Sequence, residues 1–283
     1  MPEIRLQGGE VDGLALRYTV EGRGPAVILL HGLGGFAETW RHNVGALTPR
    51  ATVYALDLPG FGRSAKPRTA YRLPFFTRVV GAFADGLGLG QVSLVGHSLG
   101  GAIAVAYALT QPTRVERLAL IGALVPGATY RIGWTQRAAT LPVVGELLAL
   151  CGGPSLVKTA IARCFHAPMP AEVDFLVDTD FATRAAPEAR AAWLASVRGV
   201  RAELVGRRGA YRRALGTLAL PVLLVHGRED PAVPAAHCAE AADALPRATV
   251  RWVDRCGHFP HIEHAPVVNA WLVDFLAGRP APR

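Results

Sequence analysis

Lysine is almost missing from this chain of 283 residues: of 30 basic residues, only Lys66 and Lys158 are not arginine. Cysteine is sparse too, with four residues, at 151, 164, 238 and 256. They form no CxxC pair and fall far short of the density of a disulfide-stapled secreted scaffold, so reduced thiols and a cytoplasmic location are expected. No uninterrupted apolar stretch approaches the roughly 18 residues of a membrane span. Stable membrane insertion is therefore not expected, even though 51% of residues are hydrophobic and the mean hydropathy is +0.25. The opening Met1-Pro2-Glu3-Ile4-Arg5 has neither the basic n-region nor the apolar h-region of a secretory signal.

The formal net charge is +8, and between positions 183 and 215 eight arginines face only Glu188 and Glu203. Such a run attracts anions. It lacks the aromatic interleaving typical of a base-stacking platform and any recognised DNA-binding motif, so no nucleic-acid partner is expected. Arginines spaced along helices, Arg184, Arg190, Arg198 and Arg201 among them, are expected to form solvated faces.

The chain is long enough for one large α/β domain with an insertion. Short Val/Ile/Leu runs recur at Ala26 to Leu30, Thr52 to Leu56, Val92 to Val95, Arg117 to Ile121, Pro221 to Val225 and Thr249 to Val253. Runs apolar on both faces suit strands covered by helices on each side, which predicts a doubly wound, mostly parallel sheet. Ile4 to Leu6 and Leu14 to Val20 read as an antiparallel opening pair turned at Asp12-Gly13. Helices are expected near Trp40 to Leu47, Phe75 to Leu87, Leu99 to Leu109, Ala235 to Ala244 and Pro266 to Leu276. The alternation stops at residues 124–215, where helical stretches are broken by Gly152-Gly153-Pro154, Pro168-Met169-Pro170 and Gly206. This predicts a core of residues 1–123 and 216–283 interrupted by a helical insertion. Within it the apolar Leu141 to Cys151 is expected to pack against its neighbours, the alternative being the roof of an apolar pocket.

Between the run at Val92 to Val95 and the helical pattern at Ala102 to Ala106 stands Gly96-His97-Ser98-Leu99-Gly100-Gly101, a serine among glycines at a strand-to-helix junction. This spacing is that of a nucleophile elbow, in which Ser98 projects its hydroxyl above the sheet. Serine is a weak nucleophile and needs a base that is itself oriented by a third group. The carboxyl ends of parallel strands lie along one edge, so partners are sought in the loops after later strands. Asp230, in Gly227-Arg228-Glu229-Asp230-Pro231, is the orienting acid, its alternative being a plain turn or capping aspartate. His258, in Gly257-His258-Phe259-Pro260, is the base. The order serine, aspartate, histidine agrees with the elbow architecture. Oxyanion donors are expected in the Leu99 amide at a helix start and the Leu33 amide of the loop His31-Gly32-Leu33-Gly34-Gly35.

The remaining histidines read as structural or solvated. His258, His261 and His264 recur at three-residue steps, but no acidic or cysteine cluster accompanies them and the spacing is not that of a zinc-protease helix. Neither a metal nor a cofactor is expected.

Taken in order, His31-Gly32-Leu33-Gly34-Gly35, Asp57-Leu58-Pro59-Gly60-Phe61-Gly62-Arg63-Ser64, Gly96-His97-Ser98-Leu99-Gly100-Gly101, His226-Gly227-Arg228-Glu229-Asp230 and Gly257-His258-Phe259-Pro260 resemble the motifs of the α/β-hydrolase superfamily. The resemblance implies an eight-stranded sheet with strand two antiparallel, a helical cap inserted after strand six, and a structural role for the Asp57 to Ser64 loop. Members with epoxide hydrolase or haloalkane dehalogenase activity carry an aspartate nucleophile, whereas this chain has Ser98. Relatives that cleave carbon–carbon bonds of dienoates typically have asparagine before the serine and a glycine-proline oxyanion loop, and His97 and Gly34-Gly35-Phe36 depart from that pattern. The Gly-His-Ser-Leu-Gly form resembles esterases and small lipases. The expected activity is hydrolysis of small, apolar carboxylic esters through an acyl-enzyme on Ser98. The alternatives are a C–C hydrolase or lactonase with the same triad, an acyltransferase, and a non-hydrolytic small-molecule binding protein.

Overall fold

The computed structural model describes residues 1–130, 137–138, 140–151 and 153–279. Gly152 and the Cys151 side chain, both named above, lie outside what is described. One eight-stranded sheet runs through the molecule in the order β1-β2-β4-β3-β5-β6-β7-β8. Its strands are β1 (Glu3–Arg5), β2 (Ala15–Gly22), β3 (Ala26–Leu30), β4 (Thr52–Leu56), β5 (Val92–His97), β6 (Val115–Ile121), β7 (Val222–Gly227) and β8 (Ala248–Val253). The second strand is antiparallel to both its neighbours, and β4, β3, β5, β6, β7 and β8 are mutually parallel.

The central parallel strands are largely apolar because successive side chains point to opposite faces and both faces are covered. Ile28, Leu30, Leu94, Leu118 and Leu224 pack on one side with α2 (Leu73–Gly86) and α3 (Leu99–Thr110). Val27, Leu29, Val95, Ala119 and Val225 pack on the other with Val44 and Leu47 of α1 (Val44–Leu47) and with Val268 and Leu272 of the last helix. The register aligns Leu30 with Leu56, His97 with Ile121 and Gly227 with Val253. The loops that begin at His31, Asp57, Ser98, Gly122, Arg228 and Asp254 therefore open along one edge of the sheet.

One local expectation shifts, and the turn expected at Asp12-Gly13 is present. The helix expected from Trp40 to Leu47 divides into a single 3-10 turn (Ala37–Trp40) and α1, broken just before the buried Asn43. The Asn43 side chain donates instead to the His261 carbonyl at 2.9 Å and to Asn269 Oδ1 at 2.7 Å, long-range bonds that compete with regular helix. At the first turn, Gly13 N–H donates to Leu6 O at 2.8 Å, while Asp12 Oδ1 accepts from Gly8 N–H at 3.0 Å.

Between β6 and β7 the described residues form α4 (Val144–Cys151), α5 (Pro154–Ala162), α6 (Pro170–Arg184), α7 (Pro187–Gly206) and α8 (Arg208–Leu215). Ala192, Val200, Leu204 and Leu215 from this stretch join the cluster over α2 and α3. The described side chains of the Leu141 to Cys151 segment depart from the expectation of a packed face: Leu147 and Leu150 are 54% and 66% exposed, and Leu141, Val143 and Val144 are exposed with them. The helix packs on α7, where Arg198 pairs with Glu146 at 2.7 Å. The arginine run is solvated in part, with Arg201, Arg207, Arg208 and Arg213 exposed, and several of its members are also ion-paired. Arg184 pairs with Asp180 at 2.8 Å, Arg207 with Glu203 at 3.2 Å and Arg208 with Glu240 at 2.6 Å. The last part of the chain forms α9 (Ala235–Ala244), α10 (Pro260–Glu263) and α11 (Ala265–Leu276). No helix among the described residues is long and apolar enough to cross a membrane.

Candidate active site

Ser98 follows β5 directly and has φ 51° and ψ −115°, a conformation that costs energy for any residue with a Cβ. Its neighbours hold it there. The Ser98 N–H donates to Ile121 O at 3.1 Å, and its carbonyl accepts from Gly101 N–H and Leu124 N–H, each at 3.0 Å. The turn is tight enough that a Cβ on Gly100 would stand 2.1 Å from the Leu30 carbonyl oxygen, so only glycine admits this approach of helix to strand.

Asp230 and His258 meet at the same edge. His258 Nδ1 lies 2.8 Å from Asp230 Oδ2, and both side chains are buried. Asp230 Oδ1 accepts from the backbone N–H groups of Ala232 and Val233, each at 2.8 Å. One oxygen thus serves the turn and the other faces His258. Burial works to raise the Asp230 carboxyl, but the nearby His258, its hydrogen bond and His226 together hold it below the ordinary carboxylate value. An ionised carboxylate only accepts, so the bonding pattern assigns the His258 proton to Nδ1 and leaves Nε2 bare in the neutral ring.

Gly122 joins this pair to the serine turn. It follows Ile121, the acceptor of the Ser98 N–H, and has φ 50°. A Cβ there would lie 2.9 Å from His258 O, 3.4 Å from its Nδ1 and 3.5 Å from Asp230 Oδ2. His97, next to the serine, places its ring centroid 4.8 Å from that of His258 and bonds through Nε2 to the His258 carbonyl at 2.9 Å.

The two segments named as oxyanion donors are also adjacent. Leu99 begins α3 and is buried, while Leu33 lies in the loop after β3 and is 37% exposed. A Cβ on Gly32 would come within 3.0 Å of Ser98 Cβ, so the loop runs against the elbow. Its Gly32 carbonyl accepts from His31 Nδ1–H at 2.7 Å and from Gly35 N–H at 3.0 Å, while His31 Nε2 accepts from Leu58 N–H at 2.9 Å. Burial lowers the His31 imidazole to about 4, which keeps this ring neutral with one nitrogen donating and the other accepting. Asp57 fits the structural role expected of its loop, accepting from Ala37 N–H at 2.7 Å and Arg63 N–H at 2.8 Å.

Glu263 is a residue that the sequence reading missed. Its Oε1 accepts from Gly257 N–H at 3.0 Å and Phe259 N–H at 3.2 Å, and its Oε2 accepts from His166 N–H at 2.8 Å. With Cys164 O accepting His258 N–H at 2.7 Å, the His258 loop is bonded to residues of the β6–β7 stretch. A sequence signal existed, an acid five positions after His258, but it marks no element boundary. Asp180 was also missed. It is buried beside Arg184, burial lifts it to about 6, and with Gly34, Phe61, Lys66 and Trp193 these two residues line a narrow cleft beside the Leu33 loop.

The other histidines diverge. His261 is fully buried between Trp40 and His97, with ring centroids 4.6 and 4.5 Å away and the rings tilted by 40° and 47°. His264 Nε2 bonds Arg255 O at 3.1 Å, and His237 ties Val125 N–H and Thr129 O to α9, each at 2.9 Å. Among the described residues, no group of three or more His, Cys, Asp or Glu side chains is arranged to hold a metal ion.

The model of a family described as the alpha/beta hydrolase family matches residues 27–271. The chain belongs to the alpha/beta hydrolase family. Among curated relatives, this alpha/beta hydrolase is similar to the dihydrolipoyllysine-residue acetyltransferase component of the acetoin cleaving system of Cupriavidus necator. The identity is 32% over 96% of this chain and 69% of that protein. It is also similar to 2-hydroxymuconate semialdehyde hydrolase of a Pseudomonas species, at 29% identity over 98% of this chain and 95% of the relative. Among solved structures, the enol-lactonase of Burkholderia xenovorans superposes with a TM-score of 0.80 at 26% identity, covering 98% of this chain and 100% of the other.

Proposed function

We propose that this alpha/beta hydrolase cleaves carboxylic esters of small apolar substrates through an acyl-enzyme on Ser98. The observation that carries the reading is the buried 2.8 Å bond between His258 Nδ1 and Asp230 Oδ2, in loops that open along the same sheet edge as the turn holding Ser98 at φ 51°. Ser98 Oγ attacks the ester carbonyl carbon while His258 Nε2 takes its proton. Asp230 keeps the Nδ1–H tautomer and stabilises the imidazolium. The amides of Leu33 and Leu99 receive the developing oxyanion, each such donor being worth about 10²–10³ in turnover. The imidazolium then protonates the leaving alkoxide. Water, deprotonated by the same nitrogen, releases the acid and restores Ser98. Residues 124–215 form the cap over this centre, residues 1–123 and 216–283 form the catalytic core, and the enzyme works in the cytoplasm on a small-molecule substrate.

A second reading, lactone opening or C–C hydrolysis with the same three side chains, is favoured by the likeness to 2-hydroxymuconate semialdehyde hydrolase and to an enol-lactonase. A lactone is a cyclic ester, so only the pocket distinguishes it from the leading reading. The experiment is a panel of aryl esters of graded acyl length, run beside an enol-lactone and a coloured dienoate. Hydrolysis of the short-chain aryl esters is expected. Turnover of the dienoate or the lactone alone, with every ester inert, would replace the first reading by the second.

A further inference from the structure

We infer that His97 is a positioning residue for His258: it holds the backbone of the base from the residue immediately before the serine. The inference rests on the proposed roles of Ser98 and His258. Asp230 fixes the Nδ1 end of the His258 imidazole, but the direction of Nε2 also depends on where the Cα of residue 258 stands. That residue lies in a loop between β8 and α10, with no ladder of its own. Its backbone has two bonds. The N–H goes to Cys164 O at 2.7 Å, and the C=O is met by His97 Nε2 at 2.9 Å.

A carbonyl only accepts, so the His97 proton is on Nε2. The ring holding it is 5% exposed and sits at the last position of a strand buried along its whole length. Its plane is set by the row Trp40, His261, His97, with neighbouring centroids 4.6 and 4.5 Å apart, and it lies 4.8 Å from the His258 ring on another side. Burial, reinforced by His261 and His258, drives the His97 imidazole well below its ordinary value, so it donates as a neutral group. Neutrality suits the chemistry, because a cation this close to His258 would oppose formation of the imidazolium. The strand that sets Ser98 thus sets the base through a link one residue long.

The discriminating variants are His97→Gln, whose amide nitrogen reaches the Nε2 position, and His97→Asn, whose amide stops near Nδ1. Three readouts are needed: kcat and KM on an aryl ester, the rate of fluorophosphonate labelling of Ser98, and the low-field proton resonance of His258 Nδ1–H, each alongside the melting temperature. His97→Asn is expected to lower kcat and the labelling rate about 10–100-fold with little change in KM, and to shift or broaden the Nδ1–H resonance. His97→Gln is expected to recover most of both rates and the resonance. Wild-type labelling and an unaltered resonance in His97→Asn would overturn the inference, as would equal losses in both variants. Should His97→Asn fail to fold, His97→Gln decides alone: near wild-type rates support the inference and a 10-fold loss overturns it. If the wild type neither labels nor turns over any ester, the proposed function falls, and the resonance still reports on His97.

Discussion

Asp230 meets His258 through one carboxylate oxygen, because the other is fully occupied by the turn that carries it. Oδ2 accepts from His258 Nδ1–H at 2.8 Å while Oδ1 takes the N–H groups of Ala232 and Val233. Asp230→Asn breaks this division. With its oxygen kept on the turn, the new amide presents N–H to Nδ1 and forces the His258 proton onto Nε2, the wrong tautomer for a base. A fall in kcat of about 10⁴-fold is expected, with the fold retained. Steady-state kinetics and a melting curve check it, and a loss under tenfold would refute the assigned tautomer.

The buried histidines predict how stability depends on pH. His31 is lowered to about 4 and His261 to about 3 by burial, while their unfolded values stay at 6.5. As pH falls from about 6.5 towards 4, the unfolded chain binds protons that the folded chain refuses, so stability drops across this window. His31 alone accounts for roughly 3 kcal/mol by pH 4. Asp230 acts in the same direction further down, since its depressed value contributes stability that is lost as pH falls through it. The melting temperature should therefore decline steadily between pH 7 and 4, less steeply in His261→Phe. A flat profile in the wild type would contradict this account.

Gly122→Ala tests the spacing of the site. The added Cβ meets His258 O at 2.9 Å and Nδ1 at 3.4 Å, at a residue whose φ of 50° already disfavours a side chain. Displacing the base by a fraction of an ångström is expected to reduce kcat about 10²-fold. Unchanged kinetics in a folded variant would show that residue 122 does not fix the pair.

Asp57 tests the scaffold without touching the proposed chemistry. Removing its carboxylate in Asp57→Ala strands the amides of Ala37 and Arg63, bonded at 2.7 and 2.8 Å. The expected loss is about 2–4 kcal/mol, read as a lower urea midpoint at constant slope. A midpoint within error of the wild type would mean that these amides find other partners.

The parallel strands were legible because both their faces are buried: the apolar runs at Ala26 to Leu30 and Thr52 to Leu56 coincide with β3 and β4 to the residue. The elbow was legible for a related reason, since a close approach such as that of Gly100 to Leu30 admits only glycine and so leaves a mark in the sequence. The antiparallel opening pair was legible from the Asp12-Gly13 turn signal as well as from family resemblance, whereas the order of the strands across the sheet left no mark in the sequence. What stayed hidden depends on partners distant in the chain. Hydrophobicity at Leu147 and Leu150 says nothing of what lies opposite them, and here nothing among the described residues covers them. The Glu263 and His97 bonds run to backbone groups, which any residue type supplies, so no pattern records them. The pairings of Arg198 and Arg208 were equally unreadable, because Glu146 and Glu240 lie outside the run.

The central claim is that residue 98 is a working nucleophile. Treatment with a fluorophosphonate probe, followed by mass mapping, should place a single adduct on the peptide containing Ser98, and Ser98→Ala should lose both the adduct and ester turnover. A wild-type protein that stays unlabelled, as a passive binding pocket would, or a Ser98→Ala variant that hydrolyses esters at the wild-type rate, would contradict it.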